Sequence, residues 1–427
     1  MDMLVLLGSF FLLMAVGVPI AYSLGLASLV GALWIDVPLD AVMIQIASGV
    51  NKFSLLAIPF FVLAGAIMAE GGMSRRLVAF ASVLVGFIQG GLSLVNILAS
   101  TFFGGISGSS VADTASIGSV LIPEMEKKGY PRDFATAVTV SGSMQAILIP
   151  PSHNMVIYSL AAGGTVSVAS LFMAGVLPGL LTGLMLAALC LYVARRENYP
   201  KGDKIPMKAA LKIAGEAMWG LMTMVIILGG ILSGVFTANE SAAMAVVWAF
   251  FVTMFIYRDY KWRDLPKLVH RTVKTVTVVM ILIGFAASFG YVMTLMQIPL
   301  KVTTFFTSVS DNKFVILMLI NIMLLILGCL MDMSPLILIL TPILLPVVKL
   351  LGVDPVHFGM IMMVNLGIGL ITPPVGTVLF VGSAVSKLPM GQITRAMKPF
   401  FVVLFGVLLL VTYVPAISLW LPKMMGL

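Results

Sequence analysis

Charged side chains make up only 10% of this 427-residue chain, where a soluble protein carries about 25%, and that shortage excludes a soluble globular fold. No Asp, Glu, Lys or Arg occurs from Leu77 to Ala112 or from Phe134 to Ala194. A helix crosses a bilayer with roughly 20 apolar residues, so these gaps hold several membrane segments. Cysteine is nearly absent: Cys190 and Cys329 lie deep in apolar sequence without metal-ligand spacing, which leaves them as packing residues. There is no Walker loop and no dinucleotide fingerprint, which excludes ATP-driven chemistry within the chain. The alternating segments of about ten residues that mark a membrane β-barrel are missing too. The N-terminal apolar run lacks a basic lead and is too long for a cleaved signal peptide, so it is expected to be retained.

What is present is apolar: 60% hydrophobic residues, with a mean hydropathy of +1.12. Roughly a dozen hydrophobic segments are expected by the ~20-residue yardstick, making an all-α polytopic membrane protein in the lipid bilayer. The net charge of +8 (25 − 17) is not a nucleic-acid footprint, because the basic residues collect in short connectors. Arg195, Arg196, Lys201 and Lys204 form one group, and Arg258, Lys261, Arg263, Lys267, Arg271 and Lys274 the other. Both read as cytoplasmic loops under the positive-inside rule. Lys127, Lys128 and Arg132 are offset by Glu124, Glu126 and Asp133.

Glycine, serine and proline crowd into one stretch, Thr101 to Gly164. Gly104-Gly105-Ile106-Ser107-Gly108-Ser109-Ser110 frustrates a lipid-facing helix, and Pro150-Pro151 removes two backbone donors. Hydrocarbon tolerates broken backbone only where protein or a water-filled cavity satisfies it. The stretch also recurs. Adding 223 to Gly105, Ser109, Pro123, Gly129, Pro150 and Pro151 gives Gly328, Asp332, Pro346, Gly352, Pro373 and Pro374 without a gap. Each copy reads as a small-residue hairpin closed by a proline, then a helix broken at a double proline, the sequence pointer to a secondary transporter's site. The expected layout is a first membrane half (1–194) with hairpin about 101–125 and broken helix about 133–163. A polar connector (195–211) follows, then a second half (212–427) with hairpin about 328–348 and broken helix about 356–386.

Elsewhere, the first apolar run should break at Gly17-Val18-Pro19, and Asp36–Lys52 should lie as an interfacial helix. Phe53–Ala69 and Leu77–Ala99 are expected as ordinary spans, as are segments near Gly220–Thr237, Ser241–Tyr257, Thr275–Met296 and Phe400–Trp420. Arg258–Lys274 reads as a basic amphipathic surface helix anchored by Tyr260 and Trp262.

Three acids sit in otherwise apolar sequence: Asp113, Glu240 and Asp332. An intramembrane acid marks an ion or substrate path by default, although Glu240, in its TANE context, also suits a helix cap. Sodium wants several oxygens, which hydroxyls and the carbonyls of a broken helix supply. The expected sodium ligands are Ser107, Ser109, Ser110 and Asp113 in the first copy, and Gly328, Asp332, Ser334, Asn365, Gly369 and Thr372 in the second. The bland reading of any one serine is close helix packing. Pro150, Pro151, Ser152, Asn154, Pro373, Pro374, Gly376 and Thr377 at the two breaks are the expected contacts of an anionic solute, whose carboxylate would face exposed helix N-termini. His153 suits either a proton carrier or a hydrogen-bonded structural residue.

These motifs carry a resemblance. FFGGISGSSVADTASIGSVLIPEMEKKGYPRDFATAVTVSGS, ILIPPSHNMVIYSLAAG, VFTANESAA, MDMSPLILILTPILLPV and NLGIGLITPPVGTVLF resemble the large membrane subunit of tripartite ATP-independent periplasmic (TRAP) transporters, of the sialic acid or C4-dicarboxylate type. The resemblance implies sodium-coupled, elevator-like transport of an organic acid across the bacterial inner membrane, with inverted halves and re-entrant hairpins. It also implies a separate four-helix small membrane subunit and a soluble periplasmic binding protein, Na+ as the coupling ion, and no organic cofactor or enzymatic activity. Three other readings stand beside it. Gly105-Ile106-Ser107-Gly108 matches the GxSG of intramembrane serine proteases, with His153 as base; a channel would conduct without saturating; a stand-alone sodium/dicarboxylate symporter would need no binding protein.

Overall fold

A computed structural model describes residues 1–202, 204–310 and 312–427. Asp203, in the expected connector, and Asp311 lie outside it. Every regular element among the described residues is helical, apart from one isolated antiparallel bridge between Gln89 and Lys201. Among the described residues, eight helices are long and apolar enough to cross a membrane.

The repeat is written in the helix boundaries. The first hairpin has an outer arm, Gly91–Ser107, and an inner arm, Ser110–Lys127. Adding 223 to the inner arm gives 333–350, the bounds of the second hairpin's inner arm, Met333–Leu350; its outer arm is Lys313–Leu330. The first broken helix comprises an incoming half, Arg132–Gly142 with the short turn Gln145–Leu148, and an outgoing half, His153–Ala161. The second comprises Pro355–Leu370 and Thr377–Ser386. Long helices, Val168–Arg196 and Met390–Tyr413, close the two copies.

The hairpins are longer than the sequence suggested, starting at Gly91 and Lys313 rather than near 101 and 328. Pro123 and Pro346 do not close them. Both lie inside inner arms that run on for about a turn, since an internal proline costs a helix one hydrogen bond and can bend it without ending it.

Incoming halves pack on the hairpin of their own copy, whereas outgoing halves pack on the inner arm of the other copy's hairpin. The two broken helices run antiparallel. Gly382 faces Val140, Gly367 faces Met144 and Ile147, and Gly359 faces Tyr158, whose hydroxyl donates to the Pro355 carbonyl at 2.7 Å. Of the second inner arm, 78% is buried, against 22–44% of the other seven candidate spans. Protein rather than lipid surrounds that arm.

The remaining helices flank this unit: Asp2–Ala15, Ile20–Trp34, Leu39–Val50, Phe53–Glu70 and Met73–Val85 before it, and Met207–Leu232, Ala238–Tyr257, Leu265–Leu295 and Ile298–Val309 between its two copies. They pack on one another and meet the central unit mainly through the hairpins. Two expectations fail here. Leu77–Ala99 is not one span: the chain turns at Gly86–Gly90, because Gly90 takes a left-handed φ of +72° and a Cβ there would overlap Ala194. The segment Arg258–Lys274 is not a separate surface helix either. Beyond a short turn at Trp262–Asp264 it is the first part of the 31-residue helix Leu265–Leu295. No helix breaker separates the two, and Arg271 is held by Glu70 at 2.8 Å.

The polar connector lies against the Gly86–Gly91 turn. Gly90 N–H donates to the Pro200 carbonyl at 3.1 Å, and Tyr199 rests on Tyr130 with ring centroids 4.5 Å apart.

Candidate functional site

Each hairpin tip meets the double-proline break of its own copy. The first tip turns through Gly108, whose φ of +60° is a left-handed conformation that side chains rarely adopt. A Cβ at Gly108 would overlap the Pro151 carbonyl and lie 3.2 Å from the Ser152 Cα, so the turn needs glycine for both reasons. Ser109 caps the inner arm by accepting from Ala112 N–H at 3.4 Å. Ser107 and Ser110 are buried beside it, and the Ser152 hydroxyl is buried without a partner. His153 opens the outgoing half next to the Gly108 backbone.

The second tip reaches the same arrangement by a different backbone. Met331 is extended (φ −134°) where the first copy has left-handed Gly108. Gly328 lies against Gly369, and the Cys329 carbonyl accepts from Val375 N–H at 3.1 Å within the break. Asp332 stands where Ser109 caps the first copy, but its Oδ1 turns to the break and accepts a long 3.4 Å contact from the Thr377 hydroxyl. Both double prolines contain a cis peptide bond.

The two copies join at Asn154. Its Oδ1 accepts from the Ser334 hydroxyl at 3.1 Å, and its Nδ2 points at the Met333 sulfur at 3.4 Å. The first break thereby touches the second tip. The outgoing helices start at His153 and Thr377, so two positive helix ends face the centre, with the carboxyl ends of the incoming halves opposite them.

Of the expected residues, Ser107, Ser109, Ser110, Pro150, Pro151, Ser152 and Asn154 meet at the first break, and Gly328, Asp332, Gly369, Thr372, Gly376 and Thr377 at the second, while Ser334 of the second tip reaches Asn154 at the first. Pro373 is half-buried there and Pro374 exposed. Three residues stand elsewhere. Asn365 lies seven residues from Thr372, about 10 Å along the helix, and donates to the Asn321 side chain at 2.8 Å. Asp113 lies beside Ser100, in the interior of the first hairpin rather than at its turn. Glu240 is a helix cap: Thr237 N–H donates to its carboxylate at 2.8 Å and its own N–H donates to the Thr237 hydroxyl at 3.3 Å, in the open. That pairing completes the capping box that a TANE sequence permits.

Reasoning from sequence missed the amide staples. Gln145 accepts from the Thr101 hydroxyl at 2.6 Å and donates to the Ile97 carbonyl at 3.2 Å. It ties the first outer arm to its broken helix, as Asn365 and Asn321 do in the second copy. A buried amide inside an apolar run was the available signal. Cavities flank the site. One of about 900 Å³ runs along the first inner arm past Ser116 and Ser119 to Glu70, Arg75, Arg76 and Glu216, and one of about 350 Å³ touches Asp332 and Ser334.

Residues 7–417 match the family model of the tripartite ATP-independent periplasmic transporter, DctM component. The chain belongs to that family. It is a transporter component and not an enzyme, and it is a multi-pass protein of the inner membrane. Among curated relatives, YgiK of Salmonella typhimurium is 45% identical over 99% of this chain and 97% of its own. The C4-dicarboxylate TRAP transporter large permease protein DctM of Pseudomonas aeruginosa is 45% identical over 88% of each chain. The sialic acid TRAP transporter large permease protein SiaM of Vibrio cholerae is 38% identical over 89% of this chain and 88% of its own. Among solved structures, the Alcanivorax borkumensis YdaH transporter superposes with a TM-score of 0.61 at 16% identity, covering 88% of this chain and 87% of that one, which speaks for the fold alone. Family membership disfavours both the protease and the stand-alone symporter. The Ser107 hydroxyl accepts from Ser109 N–H at 3.5 Å, and no hydrogen bond joins it to His153.

Proposed function

We propose that the chain carries a small organic anion across the inner membrane by sodium-coupled symport, as the large subunit of a tripartite system. The observation behind this reading is that both hairpin tips meet the double-proline break of their own copy while Asn154 joins the two. Such a centre offers sodium hydroxyls, carbonyls and the Asp332 carboxylate, and offers a solute carboxylate two positive helix ends. No Arg or Lys lies between Arg132 and Arg195 or between Asp354 and Lys387, so the solute meets neutral donors and bound sodium instead of a bidentate clamp. Neutral donors fit many acids, and relatives named for C4-dicarboxylate and for sialic acid match this chain at 45% and 38% identity. Choice among acids falls to a soluble periplasmic binding protein, and a small four-helix membrane subunit completes the complex.

The antiparallel broken helices fit inverted halves with re-entrant hairpins. Hairpins and broken helices would move as one body against the flanking helices, an elevator. The test is uptake in proteoliposomes containing this chain and its small subunit. Uptake should require an inward sodium gradient and the binding protein, saturate, and counter-exchange. Uptake that persists unchanged without the binding protein returns the stand-alone symporter; flux that neither saturates nor exchanges returns the channel. Asp332→Ala should raise the sodium concentration needed for uptake without altering capture by the binding protein.

A further inference from the structure

The interior of the first hairpin holds buried oxygens short of well-formed hydrogen bonds among the described residues, although the Ser100 hydroxyl lies within reach of Asp113. Asp113, Ser100 and Asn96 are fully buried. Both Asp113 carboxylate oxygens, the Ser100 Oγ and the Asn96 Oδ1 have no hydrogen-bond partner among the described residues. Asn96 and Ser100 are four residues apart, on one face of the outer arm. Asp113 comes to that face from the inner arm, beside Ser100. Gly142 of the broken helix closes it, its α-carbon open toward the Ser100 side chain. The Asn96 amide donates to the Thr139 hydroxyl at 2.7 Å, which turns its carbonyl oxygen away as a free acceptor.

This set differs from the tip on two counts. Ser100 precedes the Gly108 turn by eight residues, about 12 Å along the helix. It also belongs to one copy only: Asn96, Ser100 and Asp113 plus 223 are Leu319, Met323 and Leu336, all apolar. A role shared by both copies of the fold, such as packing a hairpin, does not call for it. A carboxylate in such a place needs a positive charge, and among the described residues no ion pair reaches Asp113. A proton neutralises the acid while leaving a second free carbonyl oxygen beside it. A hard cation uses several such oxygens as ligands at once.

We infer that Asp113, Ser100 and Asn96 form a sodium site inside the first hairpin, additional to those at the two tips. It rests on the sodium coupling proposed above and gives the first half one cation more than the second. The site lies between both hairpin arms and the broken helix, so occupancy fastens the three together.

The experiment is ²²Na⁺ binding to the full chain in lipid nanodiscs, counting ions bound and their affinity, with Asp113→Asn, Ser100→Ala and the tip variant Asp332→Ala compared. Asp113→Asn should lose one sodium equivalent and keep the others. Ser100→Ala, which removes a neutral ligand and no charge, should weaken one class of sites about tenfold, the scale of one hydrogen bond to a charged group. Asp332→Ala should act on a different equivalent. If wild type binds no sodium at all, the coupling ion is wrong and this site falls with it. If wild type and the tip variant behave as expected while Asp113→Asn and Ser100→Ala bind like wild type, this site alone is refuted. A change in the pH dependence of uptake in Asp113→Asn, with an unchanged sodium count, assigns the group to a proton and also overturns it.

Discussion

Substituting Gly369 tests the second tip most sharply. An ideal Cβ at Gly369 would stand 2.6 Å from the Gly328 carbonyl carbon and 2.7 Å from its Cα and oxygen. Carbon atoms sit comfortably at about 3.5–4.0 Å, and these are backbone atoms that cannot rotate aside, so the outer arm has to retreat by about 1 Å. The Val375 N–H to Cys329 carbonyl bond, 3.1 Å now, would lengthen beyond hydrogen-bond range. Overpacking of this kind costs about 1–3 kcal/mol, and one lost net hydrogen bond about 1 kcal/mol. If that cost, about 2–4 kcal/mol in sum, falls on the sodium-bound state, apparent sodium affinity drops by about thirtyfold to a thousandfold. Gly328→Ala is the milder partner, because its Cβ meets the Gly369 Cα at 3.2 Å. Gly406, with nothing within 4 Å of its Cβ, is the control. The assay is initial uptake rate against external sodium in proteoliposomes, together with thermal unfolding to separate coupling from folding. The expected order of sodium half-saturation is Gly369→Ala above Gly328→Ala above Gly406→Ala, the last equal to wild type. A Gly369→Ala variant with wild-type sodium dependence would refute the idea that this contact builds the sodium site.

Asn154→Ala and Ser334→Ala should each slow transport without weakening capture by the binding protein. A double-mutant cycle on uptake should show a coupling energy of about 1 kcal/mol, and strict additivity would separate the two copies energetically. Gly108→Ala, which adds left-handed strain of about 1–2 kcal/mol to overlap with Pro151, should impair uptake more than Gly105→Ala, whose Cβ meets the flexible side chain of Met224 at 2.9 Å. Cysteines scanned through Gly105–Ser116 should be water-accessible from one side near the turn, and uniform lipid exposure would exclude a re-entrant tip. Arg76→Ala, at the rim of the large cavity, should shift stability by less than about 1 kcal/mol, because Arg76 and its partner Asp259 are both partly exposed; a larger drop in melting would mark the pair as structural.

The repeat was legible in sequence because backbone geometry constrains it. Gly129 and Gly352 both take a left-handed φ, +88° and +67°, and the double prolines fix the break, so unrelated packing on each side does not erase the register. The lengths of the hairpins were not legible. Whether Pro123 ends a helix or only bends it depends on neighbours that satisfy the freed carbonyl, and those come from distant sequence. The split of Leu77–Ala99 had a local signal in Gly86, Gly90 and Gly91, but glycine is abundant throughout membrane helices. Of the site, the tips and breaks could be read, while the placement of Asp113 and Asn365 could not. A residue's position in a run says nothing of which arm it faces, and only the fold turns Asp113 toward Ser100 and Asn365 toward Asn321.

The antiparallel broken helices have an electrical consequence. Four half-helices end at the centre, two by their amino ends and two by their carboxyl ends, each worth roughly half an elementary charge of alternating sign. These helix ends alone sum to close to zero, so the backbone of the cradle favours neither an anion nor a cation. Under the proposed symport an anion arriving alone would tip the balance one way, a sodium ion alone would tip it the other, and the two together would restore it. Each guest then strengthens the hold on the other, and by thermodynamic reciprocity the factor is the same in both directions. Co-dependence of this kind needs no gate: it follows from folding one motif twice and laying the copies head to tail.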